Sequence, residues 1–279
     1  MEPATPGTPE IPSLPQSAPG IRAELRAQFG TAFSAGADAY ARIRPDYPGG
    51  VVLFFADFLK DDDAAQAPHE RSFALSALDA GAGTGIFSAQ LAEAGFEVTA
   101  ADPSAEMLAQ IPETAGVVNR VVARGEELPF AEASFDLVTY AQAWHWVDPT
   151  LASAEAARVL KPRGVLGLVW NQLDVTIPWV HRLSRIMHAG DVHRPDFRPE
   201  VGEQFGELTS WDAHWEQEMT PELIIELAKT RSYYLRASEP IRSKVEANLQ
   251  WYLYEHLGHA RGEAMGLPYL THAWAARKR

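Results

Sequence analysis

The sequence predicts an α/β fold with a central, mostly parallel β-sheet. Between residues 74 and 170, short apolar runs alternate with segments of helical periodicity, a pattern typical of consecutive βαβ units. A glycine-rich turn at residues 80–85 follows the first apolar run and precedes a helical pattern. After Asn171 the alternation stops, and two later extended runs are typical of antiparallel edge strands. We therefore expect a Rossmann-like three-layer sandwich whose seven-stranded sheet has an antiparallel C-terminal edge and a helical lid.

The predicted elements follow from these runs in chain order. The parallel strands are expected at residues 74–79, 97–101, 120–123, 135–140 and 164–170, and the edge strands at residues 211–219 and 267–275. Helices are expected at residues 51–59, 86–94, 151–160, 221–231 and 239–257. The helix before the fifth strand ends where Pro162 and Gly164 follow, because proline cannot continue a helix and glycine commonly terminates one.

The N-terminal segment differs in composition from the rest of the chain. Prolines recur every three or four residues through residues 1–20, among Gly, Ser and Thr, and such a segment cannot bury apolar surface. We expect a disordered tail at residues 1–20 and one folded domain at residues 21–279. Lid elements are expected at about residues 21–60 and at about residues 176–208.

Composition limits the classes of partner. The formal net charge of −13 opposes nonspecific contact with a phosphate backbone, so a small organic substrate is favoured over nucleic acid. The absence of cysteine excludes disulfide bonds, thiolate metal sites and cysteine nucleophiles. The chain has no apolar run of membrane-spanning length and no signal-peptide pattern. The expectation is a cytoplasmic protein without membrane contact, as a monomer or a homodimer.

The glycines of the turn, at positions 81, 83 and 85, are spaced differently from those of a dinucleotide-binding turn. That fingerprint is Gly-x-Gly-x-x-Gly, and its third glycine would fall at position 86, which is Ile86. This spacing disfavours a nicotinamide oxidoreductase. Asp102 ends the next predicted strand, where an acidic side chain can accept hydrogen bonds from both hydroxyls of a ribose. The alternative is a turn that merely joins a strand to a helix, but the full context favours a nucleoside-like ligand.

Five stretches resemble the successive motifs of small-molecule class I S-adenosylmethionine-dependent methyltransferases. They are residues 78–85, 102–108, 125–130, 134–138 and 157–164. Residues 40–48 and 267–269 are similar to a branch of that family that includes trans-aconitate methyltransferase-like proteins. The resemblance covers nearly the whole chain after residue 25. It implies S-adenosylmethionine as cofactor and leaves the substrate open.

The resemblance also implies roles for residues near the turn. By position, Asp79 and the backbone of Gly81 and Gly83 would face the methionine part of the cofactor, and Asp102 would face the ribose. Met107 would border the adenine, where a flexible thioether packs well against a flat ring, or would be ordinary core.

The adenine end departs from the family pattern. Many relatives have an acidic residue after the third strand, where this chain has Arg124, which cannot accept a hydrogen bond. Adenine recognition is therefore expected from the backbone of Gly125 and the side chain of Glu126. The complete cofactor-binding set that the resemblance implies is Tyr40, Arg44, Asp79, Gly81, Gly83, Asp102, Met107, Gly125, Glu126 and Tyr140.

A histidine between two tryptophans follows the fourth predicted strand. Trp144, His145 and Trp146 should border the sulfonium and the substrate, because functional groups concentrate at the carboxyl edge of an open α/β sheet. Tryptophan faces attract cations, and a histidine that titrates near neutrality can remove a proton from an acceptor. His145 is therefore the candidate base. The alternative is that both tryptophans are core and His145 is a packing residue.

Several residues outside the predicted sheet are candidates for ligand contact. Tyr40 and Arg44 are four residues apart, one helical turn, and Arg44 offers a planar fork for the carboxylate of the cofactor or of the substrate, or is simply exposed. Trp179 and Tyr252 are expected either to line a substrate chamber or to pack within the lid. The histidines at positions 181, 188 and 193 lack metal-ligand spacing, so we expect no metal.

The predicted function is methyl transfer from S-adenosylmethionine to an oxygen, nitrogen or carbon atom of a small organic molecule. Such transfer does not require a base, because the cofactor is already activated and alignment supplies much of the rate. The alternative is a protein that binds the cofactor without transferring its methyl group, either as a partner subunit or as a cyclase.

Overall fold

A seven-stranded β-sheet organises the computed structural model, which describes residues 43–60, 74–189, 193 and 196–279. Its strands in chain order are β1 Ser76–Ala80, β2 Glu97–Asp102, β3 Val117–Val122, β4 Phe135–Ala141, β5 Leu160–Leu173, β6 Thr209–Met219 and β7 Met265–Arg277. Their order across the sheet is β3-β2-β1-β4-β5-β7-β6. The first five strands are parallel, and β7 runs antiparallel between β5 and β6. The predicted fold class is confirmed.

Helices connect these strands and cover the sheet. They are α1 Gly49–Lys60, α2 Ile86–Glu93, α3 Ala105–Leu108, α4 Pro149–Val159, α5 Pro178–Ile186, α6 Pro221–Lys229, α7 Ser232–Arg236 and α8 Glu239–Gln250. A π-helix, Trp251–His256, continues α8, and a short 3-10 helix, Trp144–Trp146, follows β4. The predicted tail, residues 61–73 and Tyr40 lie outside the described residues.

The core divides between the two faces of the sheet, as the alternation along β1 illustrates. Ala77 belongs to a cluster with Phe55 of α1 and Phe87 of α2, whereas Leu78 belongs to a cluster with residues of α4 on the other face. Strands that are buried on both faces of a sheet have nearly continuous apolar runs in their sequences. A third cluster joins the ends of β5 and β7 to α5, α6 and α8, and it includes Val180 and Leu183 of α5. Part of the expected lid at residues 176–208 is therefore packed into core.

Several boundaries differ from the sequence prediction, and two of the differences have a clear physical reason. β3 begins at Val117 rather than at residue 120, and its exposed side chains at the sheet edge give no clear alternation. β5 extends to Leu173 because β7 pairs with it as far as Tyr269. In the described part of the chain, no helix is long and apolar enough to cross a membrane.

Candidate functional site

A cavity of about 250 Å³ opens at the carboxyl ends of β1, β2 and β4. Ligands of open α/β sheets bind at this edge. Its walls are residues 79–84, residues 102–104 with Met107, residues 124–126 and residues 140–143, completed by Tyr47, Ile86, Phe87, Trp146 and Val147. The structure thus brings together most of the residues that the sequence predicted for cofactor binding.

The turn after β1 has a backbone that only glycine adopts readily. Gly81, Gly83 and Gly85 have φ angles of 76°, 56° and 81°, in the left-handed region. A Cβ on Gly81 would also overlap the Cβ of Ala143. The backbone N–H groups of Gly81 and Ala82 both donate to the carbonyl of Ala101, at 2.7 and 3.0 Å. The turn is therefore held against β2 with its backbone along the cavity wall.

Asp102 at the end of β2 is built as a hydrogen-bond acceptor. Its Oδ2 accepts from the N–H of Gly83 at 2.9 Å, and its Oδ1 accepts from the N–H of Ser104 at 2.8 Å. Burial raises the pKa of Asp102, and these two hydrogen bonds oppose that effect. Each carboxylate oxygen keeps a second lone pair, so a ribose diol in the cavity can donate to both.

Asp79 lies deeper, and its side chain is fully buried. It accepts hydrogen bonds from Ser88 Oγ at 2.7 Å and Thr139 Oγ1 at 3.0 Å. Burial raises the pKa of Asp79 to about 6, the charge of Asp102 adds to this effect, and the hydrogen bonds oppose it. A ligand cation next to Asp79 would relieve the cost of its buried charge.

The other end of the cavity is formed around Gly125. Tyr140 donates its hydroxyl to the carbonyl of Gly125 at 2.9 Å, and a Cβ on Gly125 would lie 2.8 Å from the Tyr140 ring. Glu126 accepts from the N–H of Asp148 at 3.2 Å and lies 3.6 Å from Arg124 Nε. Arg124 therefore partly neutralises Glu126 at this end of the cavity.

The cavity fits S-adenosylmethionine, which carries an adenine, a ribose and a methionine part with a positive charge. Asp102 matches the ribose, and Asp79 matches a cation. The buried Thr84 Oγ1 has no hydrogen-bond partner among the described residues and lies in the cavity wall, so a ligand can supply one.

The three residues of the 3-10 helix after β4 face different surroundings. Trp146 lines the cavity, whereas Trp144 is buried in the core and donates its Nε1–H to the carbonyl of Glu200 at 3.0 Å. His145 is exposed, is not part of the cavity wall, and accepts at Nδ1 a hydrogen bond from Trp170 Nε1 at 3.3 Å. The structure therefore brings only Trp146 of this trio to the cavity.

Other predicted contact residues lie elsewhere. Tyr252 is buried and donates its hydroxyl to the carbonyl of Trp179 at 2.9 Å, in the cluster of α5, α6 and α8. Arg44, which the sequence predicted to bind the cofactor, is not in the wall of the cofactor cavity and borders a second, smaller cavity instead. Within the described ranges, no group of three or more His, Asp or Glu side chains is arranged to hold a metal ion.

Tyr47 and Gln142 are among the cavity residues that were not singled out from the sequence. Tyr47 is fixed by the Gln90 amide, which accepts from its N–H at 3.1 Å and donates to its carbonyl at 2.6 Å. Gln142 has a φ of 55°, rare for a residue with a side chain, and donates Nε2–H to the Asn171 carbonyl at 2.5 Å. Tyr47 had a signal, because it stands with Arg44 in the stretch at residues 40–48 that resembles a branch of the family. Gln142 had no signal beyond its place after β4.

Comparisons with known proteins agree with this geometry. Residues 78–168 match a family model described as "Methyltransferase domain". An uncharacterized methyltransferase of Mycobacterium tuberculosis is 36% identical over 251 residues, which cover 88% of this chain and 95% of the relative. A malonyl-[acyl-carrier protein] O-methyltransferase of Erwinia billingiae is 38% identical over 135 residues, covering 42% of this chain and 53% of that protein.

A solved structure from Anaeromyxobacter dehalogenans, named as a candidate type II methyltransferase, superposes with a TM-score of 0.59 at 25% identity. The match covers 85% of this chain and 97% of that structure. The glycine turn, the acceptor Asp102 and these relatives lead to one conclusion. The chain belongs to the class I S-adenosylmethionine-dependent methyltransferases.

Proposed function

We propose that this methyltransferase acts on a small organic molecule. The observation that carries the proposal is that the cofactor cavity adjoins a second cavity of about 30 Å³, with which it shares Tyr47, Ile86 and Gln142. A space of this size accepts a small chemical group, since one water molecule needs roughly 10–15 Å³. An acceptor anchored there would reach the cofactor cavity past Tyr47 and Gln142.

The residues of the chain would act mainly by orientation. When bound, the cofactor would supply an activated methyl group to an acceptor atom aligned with it. Asp102 and the glycine turn would fix the nucleoside, and Asp79 would fix the cationic methionine part. The aromatic walls Tyr47 and Trp146 would exclude water and favour a cation, and alignment of this kind accounts for much of the rate in such reactions.

We also propose that the segment around Tyr47 belongs to the lid that the sequence predicts at about residues 21–60. Asn171 Nδ2 donates to the carbonyl of Asp46 at 3.0 Å, and Gln90 holds the backbone of Tyr47 on the other side. These bonds attach Asp46 to β5 and Tyr47 to α2 at the junction of the two cavities. We include this segment in the proposed lid because an acceptor in the junction would contact it.

Labelling tests the proposed function. The purified protein is incubated with S-adenosylmethionine carrying a deuterated methyl group and with pooled small-molecule metabolites. We expect a labelled small molecule and an equal amount of S-adenosylhomocysteine, both reduced in Asp102→Ala. Label found only in protein or nucleic acid would contradict the proposal, and so would cofactor binding without any product.

A further inference from the structure

Two arginines meet at the second cavity, beside the site of methyl transfer. Arg44 and Arg231 both line this space, together with the amides of Gln142 and Asn171. They are far apart in sequence: Arg44 precedes α1, and Arg231 lies between α6 and α7. The fold thus places two positive charges in one small space of a chain whose formal net charge is −13.

Thr230 fixes the position of Arg44 and precedes Arg231 in the chain. Arg44 donates Nε–H to Thr230 Oγ1 at 3.1 Å and Nη2–H to the Thr230 carbonyl at 3.3 Å. Thr230 is buried, its hydroxyl donates to the Leu227 carbonyl at 2.7 Å, and it directly precedes Arg231 in the chain. Arg231 itself is only 6% exposed. The guanidinium of Arg44 is therefore held by the end of α6, and Arg231 is buried next to Thr230 in the chain.

Side chains of this kind recognise carboxylates. The planar guanidinium matches the two oxygens of a carboxylate, and the amide groups of Gln142 and Asn171 add neutral hydrogen-bonding capacity. The space of about 30 Å³ suits a group of two or three atoms more than a larger anion. We propose that Arg44 and Arg231 form a carboxylate-binding subsite for the acceptor, so that the substrate is a small organic acid.

The held carboxylate would be an anchor rather than the methylated group. Hydrogen bonding to two guanidinium groups withdraws electron density from a carboxylate and lowers its nucleophilicity. The acceptor atom is then a second group on the same molecule, placed past Tyr47 and Gln142 in the cofactor cavity. This inference rests on the proposed function, since it specifies the class of small molecule.

Calorimetry on the protein loaded with S-adenosylhomocysteine tests the subsite without turnover. The probes are succinate and its uncharged diamide, succinamide. We expect succinate to bind and succinamide not to bind. Arg231→Met and Arg44→Met should each weaken succinate binding at least tenfold and change the affinity for S-adenosylhomocysteine less than twofold. Arg236→Met, an exposed arginine on α7, is the matched control and should change neither.

The outcomes separate this inference from the proposed function. If S-adenosylhomocysteine affinity falls with succinate affinity in folded Arg44→Met and Arg231→Met, the arginines hold the cofactor and the inference is wrong. Unchanged succinate binding, or tighter binding of inorganic phosphate, also overturns it. If labelling finds only neutral or cationic small acceptors, the proposed function stands and the carboxylate subsite does not. Because Arg231 is buried, circular dichroism must show that Arg231→Met is folded. Arg44→Met tests the same subsite independently.

Discussion

The indole N–H of Trp170 donates a hydrogen bond to Nδ1 of His145, with 3.3 Å between the two nitrogens. Tryptophan nitrogen is only a donor, so Nδ1 is an acceptor and the neutral imidazole carries its proton on Nε2. The imidazole can then take up a further proton only at Nδ1, at the expense of the bond from Trp170. This arrangement suits a hydrogen-bond donor better than a general base.

The His145–Trp170 pair predicts a small effect of His145→Ala on catalysis. We expect kcat to fall less than about tenfold, because removal of a general base costs about 10²–10⁴-fold. Steady-state rates with the labelled acceptor, measured across neutral pH, check this expectation. Trp146→Ala is the comparison variant. Trp146 lines the cofactor cavity, so its loss should raise the KM for S-adenosylmethionine. A hundredfold fall of kcat in His145→Ala, together with a kcat that no longer depends on pH, would show that His145 is the general base.

The hydrogen bonds of Asp102 predict a strong effect even of the isosteric change Asp102→Asn. Both carboxylate oxygens accept from backbone N–H groups, so an amide NH₂ on either side would face the N–H of Gly83 or of Ser104. We expect S-adenosylmethionine to bind at least tenfold more weakly, since charged hydrogen bonds contribute about 1.5–3 kcal/mol each. Calorimetric titration with S-adenosylmethionine measures this affinity.

The control for Asp102→Asn is Asp212→Asn, at a half-exposed carboxylate on the edge strand β6. It should leave cofactor affinity unchanged. If Asp102→Asn and the unmodified protein bind S-adenosylmethionine with equal affinity, Asp102 does not bind the ribose.

Gly81 and Gly95 form a matched pair for testing the turn. Both have left-handed φ angles, of 76° and 91°, but a Cβ on Gly81 would overlap Ala143, whereas a Cβ on Gly95 would meet nothing within 4 Å. The conformational cost of alanine in this region is roughly 1–2 kcal/mol in both cases. We therefore expect Gly81→Ala to lower the free energy of unfolding more than Gly95→Ala does.

Cofactor binding should separate the two glycine variants further. Gly81→Ala would move the turn away from Ala143 and into the cavity, so binding should be lost, whereas Gly95→Ala should bind normally. Urea unfolding and calorimetry measure the two quantities. Similar values for both variants would show that the close approach to Ala143 does not matter.

Much of the sheet could be predicted from the sequence because its parallel strands are buried on both faces. That burial produces the apolar runs and the turn signals between them. β3 was placed less well because, as an edge strand, it exposes Val118 and Val122. The cofactor turn was also predictable, since left-handed φ angles at alternate positions leave a glycine pattern in the sequence.

The rest of the site depends on relationships that no local pattern records. Trp144 and Trp146 look equivalent in sequence, yet a single 3-10 turn directs one into the core and the other into the cavity. Arg44 and Arg231 meet because Thr230 binds Arg44 across 186 positions of the chain. Gln142 has a left-handed backbone conformation although it is not glycine, so this conformation could not be predicted from the sequence.

Asp79 links cofactor binding to pH and to stability. Burial raises its pKa from 3.8 to about 6 in the folded protein, so the folded state binds more protons than the unfolded state between these values. The stabilising contribution is full below the unfolded pKa and is lost as pH rises through about 6. At neutral pH the buried charge costs roughly 3 kcal/mol, from about two pKa units at 1.36 kcal/mol each.

We therefore expect Asp79→Asn to raise the melting temperature of the cofactor-free protein at neutral pH and to weaken cofactor binding. Ser88 and Thr139 can rotate their hydroxyls to satisfy the amide, so the variant should fold. In the unmodified protein, affinity for S-adenosylmethionine should fall as pH drops through about 6, because protonated Asp79 no longer attracts the cation. In Asp79→Asn this dependence should disappear. A variant that melts lower at neutral pH and keeps the pH dependence would show that Asp79 is not the group that senses the cofactor's charge.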